Sequence, residues 1–255
     1  MKNEKRWGWR WEVGDKISED VFDRRTLFAL RDLLSDKIST IDYPISYGKE
    51  AVVYKGEGED GPVAIKIYRP KSAFLFGGMK DYIEDDKRFE KLPLSRKDLL
   101  LQAWARKELD NLARIGEAGV PAPAPIAVKK NVLVMSYIGD RERPAPLLKD
   151  IDMKRGDEGP DWPSLFNKIK SYIQKMYSSE IVHGDLSEYN LLWWEKELWV
   201  IDVGQSVLTS HPMAQDLLKR DVERMVSFFT RRMGAGEEKL GIDASVVLEE
   251  VKAKR

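Results

Sequence analysis

Two short segments, with twelve residues from the asparagine of the first to the aspartate of the second, constrain this chain more than anything else in it: His183-Gly-Asp185-Leu-Ser-Glu-Tyr-Asn190 and Val200-Ile-Asp202-Val-Gly204. Ile181–Asn190 reads as a turn-rich loop and Leu198–Val203 as a short strand. A fold that accommodates both must end a strand at one carboxylate, Asp202, with a second carboxylate, Asp185, and a carboxamide, Asn190, on the loop before it. Taken singly, each residue has a plain structural reading: a turn cap, a loop residue, a strand end. Their order and spacing together make them a candidate chemical centre.

Phosphoryl transfer needs such a set, because an acceptor must be held in line while cations neutralise charge spreading over the phosphate oxygens. Asp185 is placed to receive the acceptor's proton. Asn190 and Asp202 offer hard oxygen ligands suited to Mg²⁺, with Mn²⁺ as a substitute, since Mg²⁺ takes few protein ligands beside phosphates and water. Gly204 is expected to let the backbone turn sharply beside the metal. The two segments resemble the catalytic and metal-binding loops of protein kinases.

Upstream, Val63-Ala-Ile-Lys66 resembles the kinase V-A-I-K strand. A period of two puts Ala64 and Lys66 on the face opposite Val63, Ile65 and Ile67, and from there a lysine reaches the phosphates of ATP. Its expected partner is Glu108, a carboxylate on the apolar stripe Leu101, Trp104, Leu112, Ile115 of a helix predicted over Asp98–Glu117, where an unpaired charge is costly. Glu90 is a less regular competitor, and a stripe-edge glutamate reaching solvent is the bland alternative. Ile45–Tyr54 lacks the full G-x-G-x-x-G, but Ser46 and Gly48 lie between two predicted strands, where backbone N–H groups and the Ser46 hydroxyl are expected to cover phosphates. Lys49, Val53 and Ala64 are assigned to the same nucleotide pocket. Val132–Gly139 reads as a hinge, with Met135 beside the adenine and the Ser136 carbonyl and Ile138 amide at its edge.

Composition narrows the setting. The 43 Lys+Arg and 43 Asp+Glu cancel, so no global field draws the molecule to nucleic acid or membrane. The absence of cysteine removes disulfides and thiolate sites and fits a reducing cytoplasm, the expected location. No stretch approaches the roughly 20 apolar residues of a membrane span. A helix is predicted from Ser18, a β-hairpin from Ala51–Tyr54 and Val63–Tyr68, and a long mobile segment over residues 70–97, where charges and Gly77-Gly78 leave little periodicity. Strands are expected at Ile126–Val128 and Val132–Tyr137, and helices at Ser164–Tyr177, 213–233 and 243–253. Near the start, Lys2, Lys5, Arg6 and Arg10 interleave with Trp7, Trp9 and Trp11, a run able to grip phosphates and stack bases as a local RNA contact.

From about residue 18 to 233 the sequence resembles the RIO kinases, specifically their first, most widespread subfamily. The resemblance is carried by Ser46-Tyr-Gly-Lys-Glu-Ala-Val-Val-Tyr54, which departs from the family pattern at Tyr47 and Val52, by His183–Asn190, and by Ile201-Asp-Val-Gly-Gln-Ser-Val207 followed by His211-Pro212. It implies an α+β, two-lobed protein-kinase-like fold: an N-terminal extension with a helix over 1–37, an N-lobe with antiparallel sheet, helix and hinge over 38–138, and a smaller, mainly helical C-lobe over 139–255. No long activation segment is expected, because no A-P-E element follows Gly204. The resemblance further implies an ATP-dependent serine kinase capable of autophosphorylation and ATP hydrolysis, the pre-ribosomal small subunit particle as partner, and transient phosphorylation of Asp202. The alternatives weighed are a small atypical kinase of the KEOPS type, which shares the H-G-D-L loop, and a non-catalytic RNA-binding scaffold. The Asp202-Val-Gly-Gln-Ser stretch argues against the first, and the retained Lys66, Asp185, Asn190 and Asp202 against the second.

Overall fold

The computed structural model describes residues 22–34, 36–69, 78–93, 95–151, 160–233 and 242–253. Its first layer is a five-stranded antiparallel sheet in the order β1-β2-β3-β5-β4, built from β1 (Ile38–Tyr47), β2 (Ala51–Gly58), β3 (Gly61–Tyr68), β4 (Pro125–Lys129) and β5 (Val132–Ser136). The alternation of β3 sorts its two faces. Val63, Ile65 and Ile67 join Val52, Tyr54, Val132 and Val134 in a core closed by Ala29, Leu30 and Leu33 of helix α1 (Arg24–Leu34). Ala64, Lys66 and Tyr68 fall on the opposite face, as the period of a strand requires.

Helix α1 is capped by Asp23, whose carboxylate accepts from the Thr26 N–H at 2.8 Å and from its hydroxyl at 2.7 Å. The expected cap at Ser18 is therefore not the cap of this helix, and residues 18–21 lie outside those described. Asn131 ties α1 to the sheet, donating to the Thr26 hydroxyl at 2.8 Å and the Tyr68 carbonyl at 2.9 Å.

The expectation of a long mobile segment over 70–97 is corrected from residue 78 onward; residues 70–77 lie outside those described. Helix α2 (Gly78–Glu84) buries Met79, Tyr82 and Ile83, and a 3₁₀ turn (Lys87–Phe89) follows it. The spacing of those three residues is one helical stripe, too short to register against the surrounding charges. Asp86, itself buried, accepts the Arg88 guanidinium through Nε at 2.9 Å and Nη2 at 2.6 Å, so these two charges neutralise each other within the segment.

Helix α3 (Lys97–Glu117) packs beside β4 and β5 and reaches down to the second layer, burying Leu101, Trp104, Lys107, Glu108, Asn111, Leu112 and Ile115. That second layer holds α4 (Trp162–Ser178), the short ladder of β6 (Ile181–Val182) with β9 (Val207–Leu208), the hairpin of β7 (Leu191–Trp194) with β8 (Glu197–Val200), and helices α5 (Ala214–Met233) and α6 (Ala244–Ala253). Trp162, Phe166, Phe228 and Phe229 meet at centroid distances of 5.2 to 6.2 Å where α4 and α5 cross. Strand β7 goes beyond the sequence expectation; it closes the hairpin that carries Asn190 into the strand ending before Asp202. Among the described residues no helix is long and apolar enough to cross a membrane.

Candidate active site

Two hollows meet at Tyr189 and Asn190. The larger, a cleft of about 670 Å³ between the sheet and the second layer, is lined by every residue assigned to nucleotide or metal: Ser46, Gly48, Lys49, Val53, Ala64, Lys66, Glu108, Met135, Ser136, Ile138, Asn190 and Asp202. Asp185 is not among its walls. It lies in the second hollow, a groove of about 620 Å³ against α5, with Ser187, Arg220, Arg224 and Arg231. The geometry thus separates the residues assigned to nucleotide and metal, in the cleft, from the residue assigned to proton transfer, in the groove.

Lys66 joins the two layers. Its Nζ lies 2.7 Å from Glu108 Oε1 and 2.9 Å from Asp202 Oδ1. Burial pulls the ammonium down, but the Asp202 and Glu108 carboxylates outweigh it and hold it well above its usual range. Burial pushes Glu108 up to about 7 despite Lys66, whereas Lys66 holds Asp202 below the ordinary carboxylate range. The asymmetry lies in which effect leads: burial outweighs the Lys66 ammonium at Glu108, whereas the Lys66 ammonium outweighs burial at Asp202. Glu90 is not the partner of Lys66. Lys66→Met leaves a buried Glu108 without a cation and is expected to destabilise the fold by about 3–5 kcal/mol, with Glu108→Gln relieving part of that loss in the double variant. Denaturation midpoints of the two singles and the double measure this; strictly additive effects would show that the pair is not what stabilises this junction.

Asp202 stands at φ +59°, in the left-handed region, while Gly204 shows no such requirement. The sharp turn expected of the glycine is thus made by the aspartate. Gly204 serves close approach instead, since a Cβ there would lie 3.0 Å from the Trp104 indole nitrogen. At the covering turn, the Gly48 N–H closes the turn itself, donating to the Ala51 carbonyl at 2.9 Å. At the hinge, the Ser136 N–H and hydroxyl are engaged with Ala124, and the Ile138 carbonyl accepts from Ala145.

The loop that carries Asp185 is held from below. Buried Asp221 of α5 accepts the backbone N–H groups of Gly184 at 2.7 Å and Leu186 at 2.9 Å, bracketing Asp185. Burial pushes its carboxyl up to about 7, against those two donors. His183 accepts the Asp185 N–H at Nδ1 and faces the Ile201 carbonyl with Nε2 at 3.2 Å, so Nε2 carries the proton. Arg220 donates to the Gly184 carbonyl, and Arg224 Nη1 lies 2.7 Å from Asp185 Oδ1. Asp221, Arg224 and Glu50, a further wall of the cleft, are not among the residues that sequence reasoning singles out. Burial and then Asp202 push Glu50 up to about 7.

The residues present fit a divalent ion. Asn190 donates through Nδ2 to the Asp185 carbonyl at 2.8 Å and to Asp185 Oδ2 at 3.1 Å, which turns its amide oxygen away from these acceptors. Lys66 engages Asp202 through Oδ1, and Oδ2 has no hydrogen-bond partner among the described residues. These are two oxygen donors rather than a closed cage, and no cluster of three or more His, Asp or Glu able to hold a metal occurs among the described residues. Such a set suits an ion that arrives with phosphates.

Comparison with known proteins identifies the family and the fold. Residues 52–240 match the family model described as the RIO domain. A protein of Haloferax volcanii described as RIO-type serine/threonine-protein kinase Rio1 is 42% identical over 222 residues, covering 86% of this chain and 73% of that protein. The human serine/threonine-protein kinase RIO1 is 37% identical over 217 residues, covering 84% of this chain but 37% of its own length. The fold matches a crystal structure of the Chaetomium thermophilum Rio2 kinase–ADP/Mg²⁺–phosphoaspartate complex with a TM-score of 0.65 at 23% identity, over 88% of this chain and 66% of that one. The two-lobed, kinase-like α+β architecture expected from the sequence is the fold observed.

Proposed function

This chain belongs to the RIO family and is an atypical serine/threonine protein kinase, and from that premise we propose that it moves the γ-phosphoryl group of Mg-ATP onto a serine hydroxyl, its own included, or onto water. The observation that carries the reading is Lys66 held between Glu108 and Asp202 at the wall of the cleft, with Asp185 just beyond it in the adjoining groove. Lys66 neutralises and orients the phosphates. The Ser136 carbonyl and Ile138 N–H meet the adenine edge, with Met135 beside it. Asp185 accepts the proton of the acceptor hydroxyl, and Arg224 keeps its carboxylate turned into the groove. Asn190 and Asp202 would hold Mg²⁺, which would supply charge neutralisation on the phosphate oxygens. Transfer to water proceeds in this reading through transient phosphorylation of Asp202, which family resemblance supports, as does the phosphoaspartate in the Rio2 kinase complex of like fold.

The finer reading is a switch in small ribosomal subunit maturation, acting in the cytoplasm. Family resemblance supports it, as does the absence of an A-P-E element, which favours a large assembled substrate or autophosphorylation over peptide docking. The basic, tryptophan-rich residues 1–11, proposed as a local RNA contact, lie outside the described residues. Phosphate release and phosphoprotein formation, measured in parallel with and without small-subunit precursor particles, test the proposal. Particles are expected to change the ratio of the two activities; indifference to them would remove the ribosomal reading while leaving the kinase intact.

A further inference from the structure

Helix α3 does more at this site than supply Glu108. Two turns of its inner stripe, through Trp104, Lys107 and Asn111, face the loop that follows Asp202. Lys107, with no exposed surface, donates through Nζ to the Gly204 carbonyl at 2.9 Å and to the Ser206 carbonyl. Asn111, equally buried, donates through Nδ2 to the Val203 carbonyl at 2.8 Å and the Ser206 carbonyl at 3.1 Å. The Asn111 amide is fixed in that sense by Arg88, whose Nη1 reaches its Oδ1 at 2.9 Å. The Lys107 ammonium also sits 5.4 Å from the Trp104 ring centroid and 6.0 Å from that of Tyr82 on α2. Four hydrogen bonds from two buried side chains therefore converge on three carbonyls of one short loop.

We infer that Lys107 and Asn111 are positioning residues that hold this loop in the conformation presenting Asp202 to the divalent ion. The inference rests on the kinase reading and adds to it the groups that keep the metal ligand in place. A left-handed backbone is strained for an L-residue and persists only where its surroundings over-determine it. Asp202 is such a residue. Among the described residues its own side chain is held by Lys66, at 2.9 Å. The restraint against relaxation to negative φ comes from the carbonyls just after it, at Val203, Gly204 and Ser206. With those bonds removed, the loop is free to turn the carboxylate out of the cleft, and affinity for the metal falls while the adenine and ribose contacts of the sheet layer persist.

The test uses Lys107→Met and Asn111→Leu, which keep volume and remove the donors, and Arg88→Gln, which touches no loop atom but releases the Asn111 amide. Mn²⁺ is titrated into each protein in the presence of a non-hydrolysable ATP analogue and its binding followed by electron paramagnetic resonance. Metal-free analogue affinity and the Mg²⁺ dependence of autophosphorylation are measured beside it. We expect the Mn²⁺ midpoint to rise on the order of tenfold for Lys107→Met and Asn111→Leu, and by less for Arg88→Gln, with metal-free analogue affinity within about twofold of the parent. Metal-free analogue affinity is the control for reduced stability, because a loss of folded protein weakens both apparent affinities by the same factor. Midpoints within about twofold of the parent in the variants that bind analogue overturn the inference, as does an equal loss of metal-free and metal-dependent binding, which marks a merely structural role. A parent that binds analogue but shows no metal-dependent phosphorylation would instead sink the kinase reading.

Discussion

Asp185→Ala is expected to bind ATP as the parent does and to lose turnover by about 10²–10⁴-fold, the range in which a positioned general base contributes. The two effects separate because the two hollows do. The walls of the nucleotide cleft include Lys66, Glu108, Asn190 and Asp202 but not Asp185, so its carboxylate can be removed without altering a phosphate-binding group. Asn190 loses one acceptor, Asp185 Oδ2, yet keeps the stronger bond to the Asp185 carbonyl at 2.8 Å, so its amide stays oriented. Arg224 is left without its carboxylate and faces the groove as an unpaired, solvated cation, a minor cost at a partly exposed site. Equilibrium nucleotide binding and the steady-state formation of inorganic phosphate and phosphoserine, measured on the same preparation, check the prediction. Near-normal turnover would remove Asp185 from the mechanism, and a parallel loss of nucleotide affinity would mean that the groove and the cleft are not independent.

What is legible in the sequence follows from how each residue is stabilised. Glu108 stands out because a carboxylate on an apolar helical stripe demands a partner, and the structure supplies Lys66. The same reasoning applied to Leu217, Leu218, Val222 and Met225 of α5 exposes Asp221, the buried acid beneath the catalytic loop, but its partners are backbone N–H groups, which no residue type announces. Lys107 and Asn111 are hidden for the same reason in reverse, since they donate to backbone carbonyls. Arg220, Arg224 and Arg231 recur on one side of α5, a spacing that reads as an ordinary solvated face until the fold brings Asp185 to it. Gly204 is legible as special but for the wrong cause, because sequence cannot tell a glycine needed for its backbone from one needed for the indole packed on it. Helix α2 is invisible because three buried side chains in seven residues are too few to outweigh the neighbouring charges and glycines.

Asp202→Ala is expected to abolish phosphorylation altogether, and the parent is expected to trap label from γ-labelled ATP in a form that hydroxylamine releases after acid quench. Asp202 differs from an ordinary metal ligand in three ways that make a second role reasonable. Lys66 keeps it ionised, its side chain opens on the cleft, and one oxygen has no hydrogen-bond partner among the described residues. In the proposed step that oxygen forms a bond to the γ-phosphorus as the bond to the β–γ bridging oxygen breaks and ADP departs with the electron pair. Water then attacks the phosphorus, its proton passing to Asp185, and the aspartate carboxylate is released with inorganic phosphate. Asp185→Ala should then accumulate the hydroxylamine-sensitive label, because formation needs no base and hydrolysis does. If all label survives hydroxylamine and maps to serine in both proteins, Asp202 serves the metal alone and the hydroxyl of the acceptor attacks ATP directly.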